Sequence, residues 1–289
     1  MDLKKITTRA LSGAVYIAII VGLILSGIYG VWALAAVFCV LATIEFDKIC
    51  FFPQHKNIVI LLCDIVLNLS ALFIIGPYWM YTLPLFIGLL MLRFIAEISL
   101  TDPSPLKSLS SSLMSTVYIA FPMTVLCYMA SRLNEFDPAY SFKMLPILFV
   151  FVLIWLNDTG AFLVGCSIGR HHMSPKISPK KTWEGFFGGM AFTVGGSLLA
   201  YWLFDGCLIN NSPLPVWYWA LFGVVVTLFA TWGDLLESLI KRNLGLKDSG
   251  NIMPGHGGIL DRIDSLLMVL PVTFILFLYA LLSQSMCSL

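Results

Sequence analysis

Long apolar runs separated by short polar connections dominate this chain. They lie at about 11–29, 30–44, 58–75, 79–98, 113–130, 144–168, 186–204, 216–240 and 263–283. Most approach the roughly 20 residues that an α-helix needs to cross a bilayer. The pattern therefore predicts an all-α polytopic membrane protein, a bundle of about nine transmembrane helices. The first run follows Lys4, Lys5 and Arg9. It exceeds the roughly 7–15 residues of a signal-peptide core and lacks a small-x-small cleavage site, so it reads as the first spanning helix.

Composition agrees with the pattern. Hydrophobic residues make up 59% of the chain and charged residues 11%, with a mean hydropathy of +0.91. A soluble domain carries about 25% charged residues, so a soluble fold is excluded. The net charge of +1 gives no basic domain for nucleic acid. Seven scattered cysteines have no metal-ligand spacing and read as small apolar fillers. No soluble domain, internal repeat or low-complexity tail stands out. The expectation is one integral-membrane domain, with 1–143 as scaffold helices and 144–289 as catalytic helices and loops.

Polar residues in the N-terminal half read as structural. Asp64 and Asn68 lie one turn apart and suit contacts with each other or with another helix. Arg93 and Glu97 have the spacing of an i,i+4 ion pair. The Ser- and Pro-rich stretch 101–112 predicts a loop or a short surface helix, and 132–143 an external loop. Trp79, Trp217 and Trp219 suit an interfacial belt.

The C-terminal half is different. Asp158 sits in an otherwise apolar run, where a carboxylate is costly and marks a buried or water-filled site. A polar loop follows, with Ser178, Lys180, Lys181, Thr182 and Glu184 just before the next helix. Lysines and a helix N-terminus together favour phosphate. Glycines at 188–189 and 195–196 then allow close helix packing. The most polar segment runs from Asp234 to Ser265. Asp234, Glu237, Ser238 and Lys241 fall at i, i+3, i+4 and i+7 and share a helical face. Asp261, Asp264 and Ser265 share a face on the following helix. Arg242, Lys247, Asp248, His256 and Arg262 fill the connection. Carboxylates hold a hard cation and basic side chains hold phosphate, so this set suits a metal-bound polyphosphate.

The run S-L-I-K-R-x4-K-D-S-G-x2-M-P-G-H-G-G-I-L-D-R-I-D, Ser238 to Asp264, resembles the signature of the phosphatidate cytidylyltransferases, or CDP-diacylglycerol synthases, of the bacterial type. Met253 stands where that family more often has another apolar residue. The D-T-G-A run from Asp158 and the S-P-x-K-T-x-E-G run from Ser178 are similar to further elements of the family. The resemblance implies transfer of CMP from CTP to phosphatidic acid in phospholipid biosynthesis, giving CDP-diacylglycerol and pyrophosphate. The attacking phosphate is already anionic, so the chemistry calls for positioning and charge neutralisation rather than a strong base.

On this reading Asp234 and Asp261 are the Mg²⁺ ligands, with Glu237 and Asp264 supporting or replacing them. A different divalent ion, or an additional monovalent one, is an alternative. Lys241, Arg242, Lys247 and Arg262 neutralise phosphates. His256 bonds a phosphate or stabilises the leaving group, and the glycines around it let the backbone approach the nucleotide. Ser178, Lys181, Thr182 and Glu184, with Asp248 and Asp158, bind the triphosphate or the lipid headgroup. The first five helices show no chemistry; they read as scaffold, lipid access and a surface on which a homodimer would form.

With nine spans and a cytoplasmic N-terminus, only Arg132 and Lys143 of the 17 Lys and Arg fall outside, which leaves 15 inside. This positive-inside bias predicts an outside C-terminus and an active site facing the cytoplasm of an inner membrane. Two other functions fit parts of the pattern. One is a CTP-dependent kinase of a polyprenol or another lipid alcohol. The other is an ion-coupled transporter using Asp158 and Asp234, although the inverted repeats expected of one are not visible.

Overall fold

The computed structural model describes residues 3–51, 57–76, 79–100, 104–135, 143–204, 213–246, 249–250 and 257–287. Helices account for almost all of them: α1 (Leu3–Leu25), α2 (Ile28–Phe51), α3 (Ile58–Ala71), α4 (Trp79–Leu100), α5 (Pro105–Ser115), α6 (Phe121–Asn134), α7 (Leu145–Ile168), α8 (Trp183–Leu203), α9 (Val216–Asn243) and α10 (Leu260–Cys287). A π-turn, Thr116–Ala120, joins α5 to α6, so these form one rod from Pro105 to Asn134. The protein is an all-helical polytopic membrane protein. Among the described residues, seven helical rods are long and apolar enough to cross a membrane, while Leu11–Leu25 and Ile58–Ala71 are shorter apolar helices. At 1.5 Å per residue, the 14 residues of α3 extend only about 21 Å, short of a bilayer core of about 30 Å.

The connections are more ordered than loops: the helical alternative for 101–112 holds, though not as a surface helix. The stretch 101–112 is helical from Pro105, where proline suits the first turn, and Ser108, Ser111 and Ser112 are buried. The loop before α8 contains an antiparallel hairpin, β1 (His172–Ser174) with β2 (Ser178–Thr182), with His172 opposite Thr182 and Ser174 opposite Ser178.

The chain divides into two compact units, one of residues 1–131 with 241–263 and one of 132–240 with 264–289. In the first, α1 packs on α2, α2 on α3 and α3 on α4. Its buried polar side chains gather into a network around Arg93 and Asn68, although Glu97 Oε1 has no hydrogen-bond partner among the described residues. The guanidinium of Arg93 on α4, 1% exposed, reaches Asp64 Oδ1 and Glu97 Oε2, each at 2.7 Å. It also donates to Ser108 Oγ at 2.8 Å and Ser112 Oγ at 2.9 Å. Asn68 Nδ2 donates to Thr43 Oγ1 and Ser115 Oγ, and its Oδ1 accepts from Thr116, the first residue of the π-turn. The Arg93–Glu97 pair forms as its spacing predicts, and Asp64 and Asn68 each bond to another helix.

The second unit is built on α7 against α8. A Cβ on Gly188 would run into Val164, one on Gly189 would stand 2.6 Å from Asn157 Oδ1, and one on Gly196 2.5 Å from Leu156 Cδ1. Small residues thus permit the close packing, although Gly195 meets nothing. Trp79 and Trp217 are exposed, whereas Trp219 is fully buried. Its ring packs edge-on against Phe149, 5.6 Å between centroids. Two residues along a helix is a rotation of about 200°, so Trp217 and Trp219 cannot both face outward. The interfacial reading of Trp219 is therefore corrected.

Candidate active site

A cavity of about 420 Å³ opens in the second unit. Four elements line it: α7 with Asn157 and Asp158, the hairpin with Ser178, Lys180, Lys181 and Thr182, the start of α8 with Gly185 and Phe186, and α9 with Thr231 and Asp234. The sequence pattern singled out most of these residues as separate elements. The fold brings the Asp158, Ser178–Thr182 and Asp234 elements together.

Local structure explains the placement. Thr182 ends β2 in extended conformation (φ −122°, ψ 153°) and caps α8, its Oγ1 accepting from Gly185 N at 3.2 Å. Glu184, in the first turn of α8, holds the other end of the hairpin. It accepts from the backbone N–H of Arg170 at 3.1 Å and of His171 at 3.2 Å, and meets His171 Nδ1 at 2.5 Å. Glu184 thus fixes the loop's shape from outside the cavity lining. With the loop fixed, Lys181 reaches α9: its Nζ lies 2.9 Å from Asp234 Oδ2 and donates to Thr231 O at 3.0 Å. Asp234 Oδ1 accepts from Ser238 Oγ at 3.2 Å, one turn along α9.

Asp264 completes the acidic set in this unit. It is buried and lies in the field of Asp234, Glu237 and Asp158. Gly233 lets α10 come this close, since a Cβ there would stand 2.6 Å from the carbonyl oxygen of Asp264. Ser265 Oγ ties α10 to Ala230 O at 3.1 Å. Asp158 and Asp234 line the cavity with Lys180 and Lys181, and Glu237 and Asp264 lie near them, so carboxylate oxygen is available to a hard cation. Among the described residues, no three His, Cys, Asp or Glu side chains form a metal cage by themselves. Mg²⁺ needs no such cage: it is commonly held by one or two carboxylates with water and substrate phosphate oxygens. The donor chemistry of Asp234 and its acidic neighbours fits such an ion.

The first unit holds the remaining described part of the motif. Lys241 Nζ lies 2.5 Å from Asp261 Oδ1. Asp261 Oδ2 accepts from Gly258 N at 2.9 Å and Ser249 N at 3.1 Å. Gly257 has φ +82°, and a Cβ there would stand 2.5 Å from Asp261 Oδ2, so both backbone and space require glycine. Arg242 and Arg262 are exposed. Lys247, Asp248 and His256 lie outside the described residues. The two residues read as metal ligands fall in different units, Asp234 in the second and Asp261 in the first.

Sequence reasoning passed over three features. Asn157 lines the cavity, its Oδ1 buried without a hydrogen-bond partner. Cys166, read as filler, is exposed along the same wall. Glu45 is 1% exposed and accepts from Ile259 N and Leu260 N. A burial pattern alone could have flagged Asn157 beside Asp158; nothing local marks Glu45.

Comparison with known proteins adds to this geometry. The chain is 40% identical over 170 residues to a protein of Staphylococcus epidermidis called phosphatidate cytidylyltransferase. Proteins of the same name from Staphylococcus haemolyticus and Staphylococcus aureus are 38% and 41% identical over 170 and 172 residues. Each match spans 59% of this chain and 63% of the relative's own length, under two thirds of it. A model of the cytidylyltransferase family matches residues 7–280, nearly the whole chain and all three polar elements. The chain belongs to the cytidylyltransferase family.

Proposed function

We propose that the protein is a phosphatidate cytidylyltransferase, transferring CMP from CTP to phosphatidic acid. The observation that carries this reading is the cavity in which Lys180, Lys181, the Thr182 cap of α8 and Asp234 converge. Its volume lies within the 300–1,000 Å³ typical of small-molecule sites. The family match and the names of the staphylococcal proteins support the choice of reaction.

In the reaction, a phosphate oxygen of phosphatidic acid attacks the α-phosphorus of CTP. A new P–O bond forms, the bond from the α-phosphorus to the bridging oxygen breaks, and pyrophosphate leaves. Lys180 and Lys181 offset the repulsion between the two anions, and Lys181 is aimed by its contacts with Thr231 and Asp234. Ser178 and Thr182 offer hydroxyls at the same wall. Asp234, with Asp158 and Asp264, would hold Mg²⁺. When bound, Mg²⁺ supplies charge neutralisation and alignment of phosphate oxygens. The Ser238–Asp264 motif belongs to the same reading by its sequence. We place the protein in a bacterial inner membrane with the reaction on the cytoplasmic side, the side to which a nine-span topology assigns 15 of the 17 Lys and Arg.

The test uses purified protein in detergent with α-labelled CTP, phosphatidic acid and Mg²⁺. Magnesium-dependent label in the lipid phase is expected. No such label, together with transfer from γ-labelled CTP to a lipid alcohol, would replace this function with a kinase. Neither transfer by folded protein would reopen the transport reading.

A further inference from the structure

Glu45 is a buried carboxylate in a helix that otherwise reads as scaffold. Its two oxygens meet the start of α10: Oε1 accepts from Ile259 N at 3.0 Å, and Oε2 from Leu260 N at 2.8 Å. Ser249 Oγ lies 3.4 Å from Oε2. No cationic side chain among the described residues pairs with it, so amide N–H groups and a hydroxyl hold its charge. Ile259 immediately precedes α10 and Leu260 opens it, where backbone donors lack helical partners and the helix dipole favours an anion.

Two glycines of the motif make room for this carboxylate. A Cβ on Gly250 would stand 2.6 Å from Glu45 Oε1, and one on Gly258 would run into Oε2. Their backbones approach a side chain of α2. The expectation that the motif glycines serve the nucleotide does not account for this contact. The amides that Glu45 holds directly precede Asp261, whose own carboxylate meets Lys241 Nζ, Ser249 N and Gly258 N. Ser249 and Gly258 thus lie between the two carboxylates and touch both.

We propose that Glu45 is a positioning residue: it clamps the first turn of α10 and thereby sets Asp261 and Lys241 for the reaction. The effect on turnover rests on the cytidylyltransferase reading; the clamp itself does not. Glu45→Gln keeps size and one acceptor but presents an amide donor to one of two N–H groups. Gly258→Ala puts a methyl group against both Glu45 Oε2 and Ser249 Oγ, the hydroxyl that donates to it.

Both variants would be measured in full-length protein by hydrogen exchange at Ile259 and Leu260 and by kcat and KM for CTP. Exchange at these amides should rise at least tenfold in each, with α7 and α8 unchanged. The kcat should fall about tenfold while KM shifts less than threefold, and the double variant should lose no more than the worse single one. Glu45→Asp should recover part of the protection. Unchanged exchange at Ile259 and Leu260 in E45Q, or losses that multiply in the double variant, would overturn the proposal. Should E45Q fail to fold, G258A alone decides by the same exchange readout. A wild-type protein that transfers no cytidylyl group would sink the assigned reaction, whereas the exchange result would still decide the clamp.

Discussion

Arg93 and Lys181 both place a cation beside carboxylates inside an apolar protein, yet their surroundings differ. Arg93 is 1% exposed, and its ion pairs and hydroxyl contacts account for a closed network of Asp64, Glu97, Ser108 and Ser112. Lys181 and Asp234 form an ion pair with side chains 23% and 40% exposed, on the wall of a cavity. A buried charge that is fully matched holds helices together. A charge that is partly matched and open to a cavity can exchange its partner for a substrate. Charge inside the membrane is thus a poor guide to a site until its access is known, although such residues are functional by default.

The largest effect should come from the open cluster. Asp234→Asn removes a carboxylate from the acidic set and releases Lys181 from its ion pair. Turnover should fall roughly a thousandfold, because a metal's charge stabilisation of several kcal/mol converts at about 1.4 kcal/mol per decade. Chelation of divalent ions should do the same to the unaltered protein. Label transfer close to wild type in both experiments would end the metal assignment. The same substitution at Asp261 should also weaken folding, since that carboxylate is tied to Lys241, Ser249 and Gly258. A thermal melt of the two variants side by side separates the cases.

The closed cluster should respond in the opposite sense. Arg93→Met strands Asp64 and Glu97 in the interior, and breaking a buried pair costs about 3–5 kcal/mol. A large loss of thermal stability is expected, with KM for CTP within about twofold in the protein that remains folded. A lysine cannot reproduce the forked contacts, so Arg93→Lys should recover little. A raised KM without a stability loss would make the contrast between the clusters untenable.

A smaller effect is expected from Lys181→Met. A charge-assisted contact contributes about 1.5–3 kcal/mol, so KM for CTP should rise by about ten- to a hundredfold while the melting temperature barely moves. Smallest of all, Asn57→Ala removes the cap of α3, whose side chain accepts from Val59 N at 2.9 Å. About 1 kcal/mol of stability should be lost with no change in kinetic constants. An altered kcat there would show that α3 does more than support.

Much of the fold was legible because helix formation in lipid is local. The run 144–168 is long, apolar and bounded by polar residues, and α7 occupies 145–168. Stretch 101–112 was harder, because its serines look solvent-facing until the Arg93 network takes them up. The hairpin before α8 was missed because five residues of β2 contain Pro179 and two lysines, and no alternation of apolar residues marks them. In the candidate site, motif residues stood out by type and spacing, whereas Asn157 drew attention only as a neighbour of Asp158.

The sequence by itself determined the membrane class, the run of helices, the polar elements that mark the family and the residue types available for phosphate and metal. These follow from hydropathy, the 3.6-residue period and short-range spacing. Only the tertiary structure decided which charges are closed off and which face a cavity, that Trp219 is core and that Lys181 meets Asp234. It alone joined Glu45 to Leu260 across 215 positions of chain. A buried carboxylate is stabilised by whatever donors the folded backbone brings to it, and over such a separation nothing in the local pattern names them.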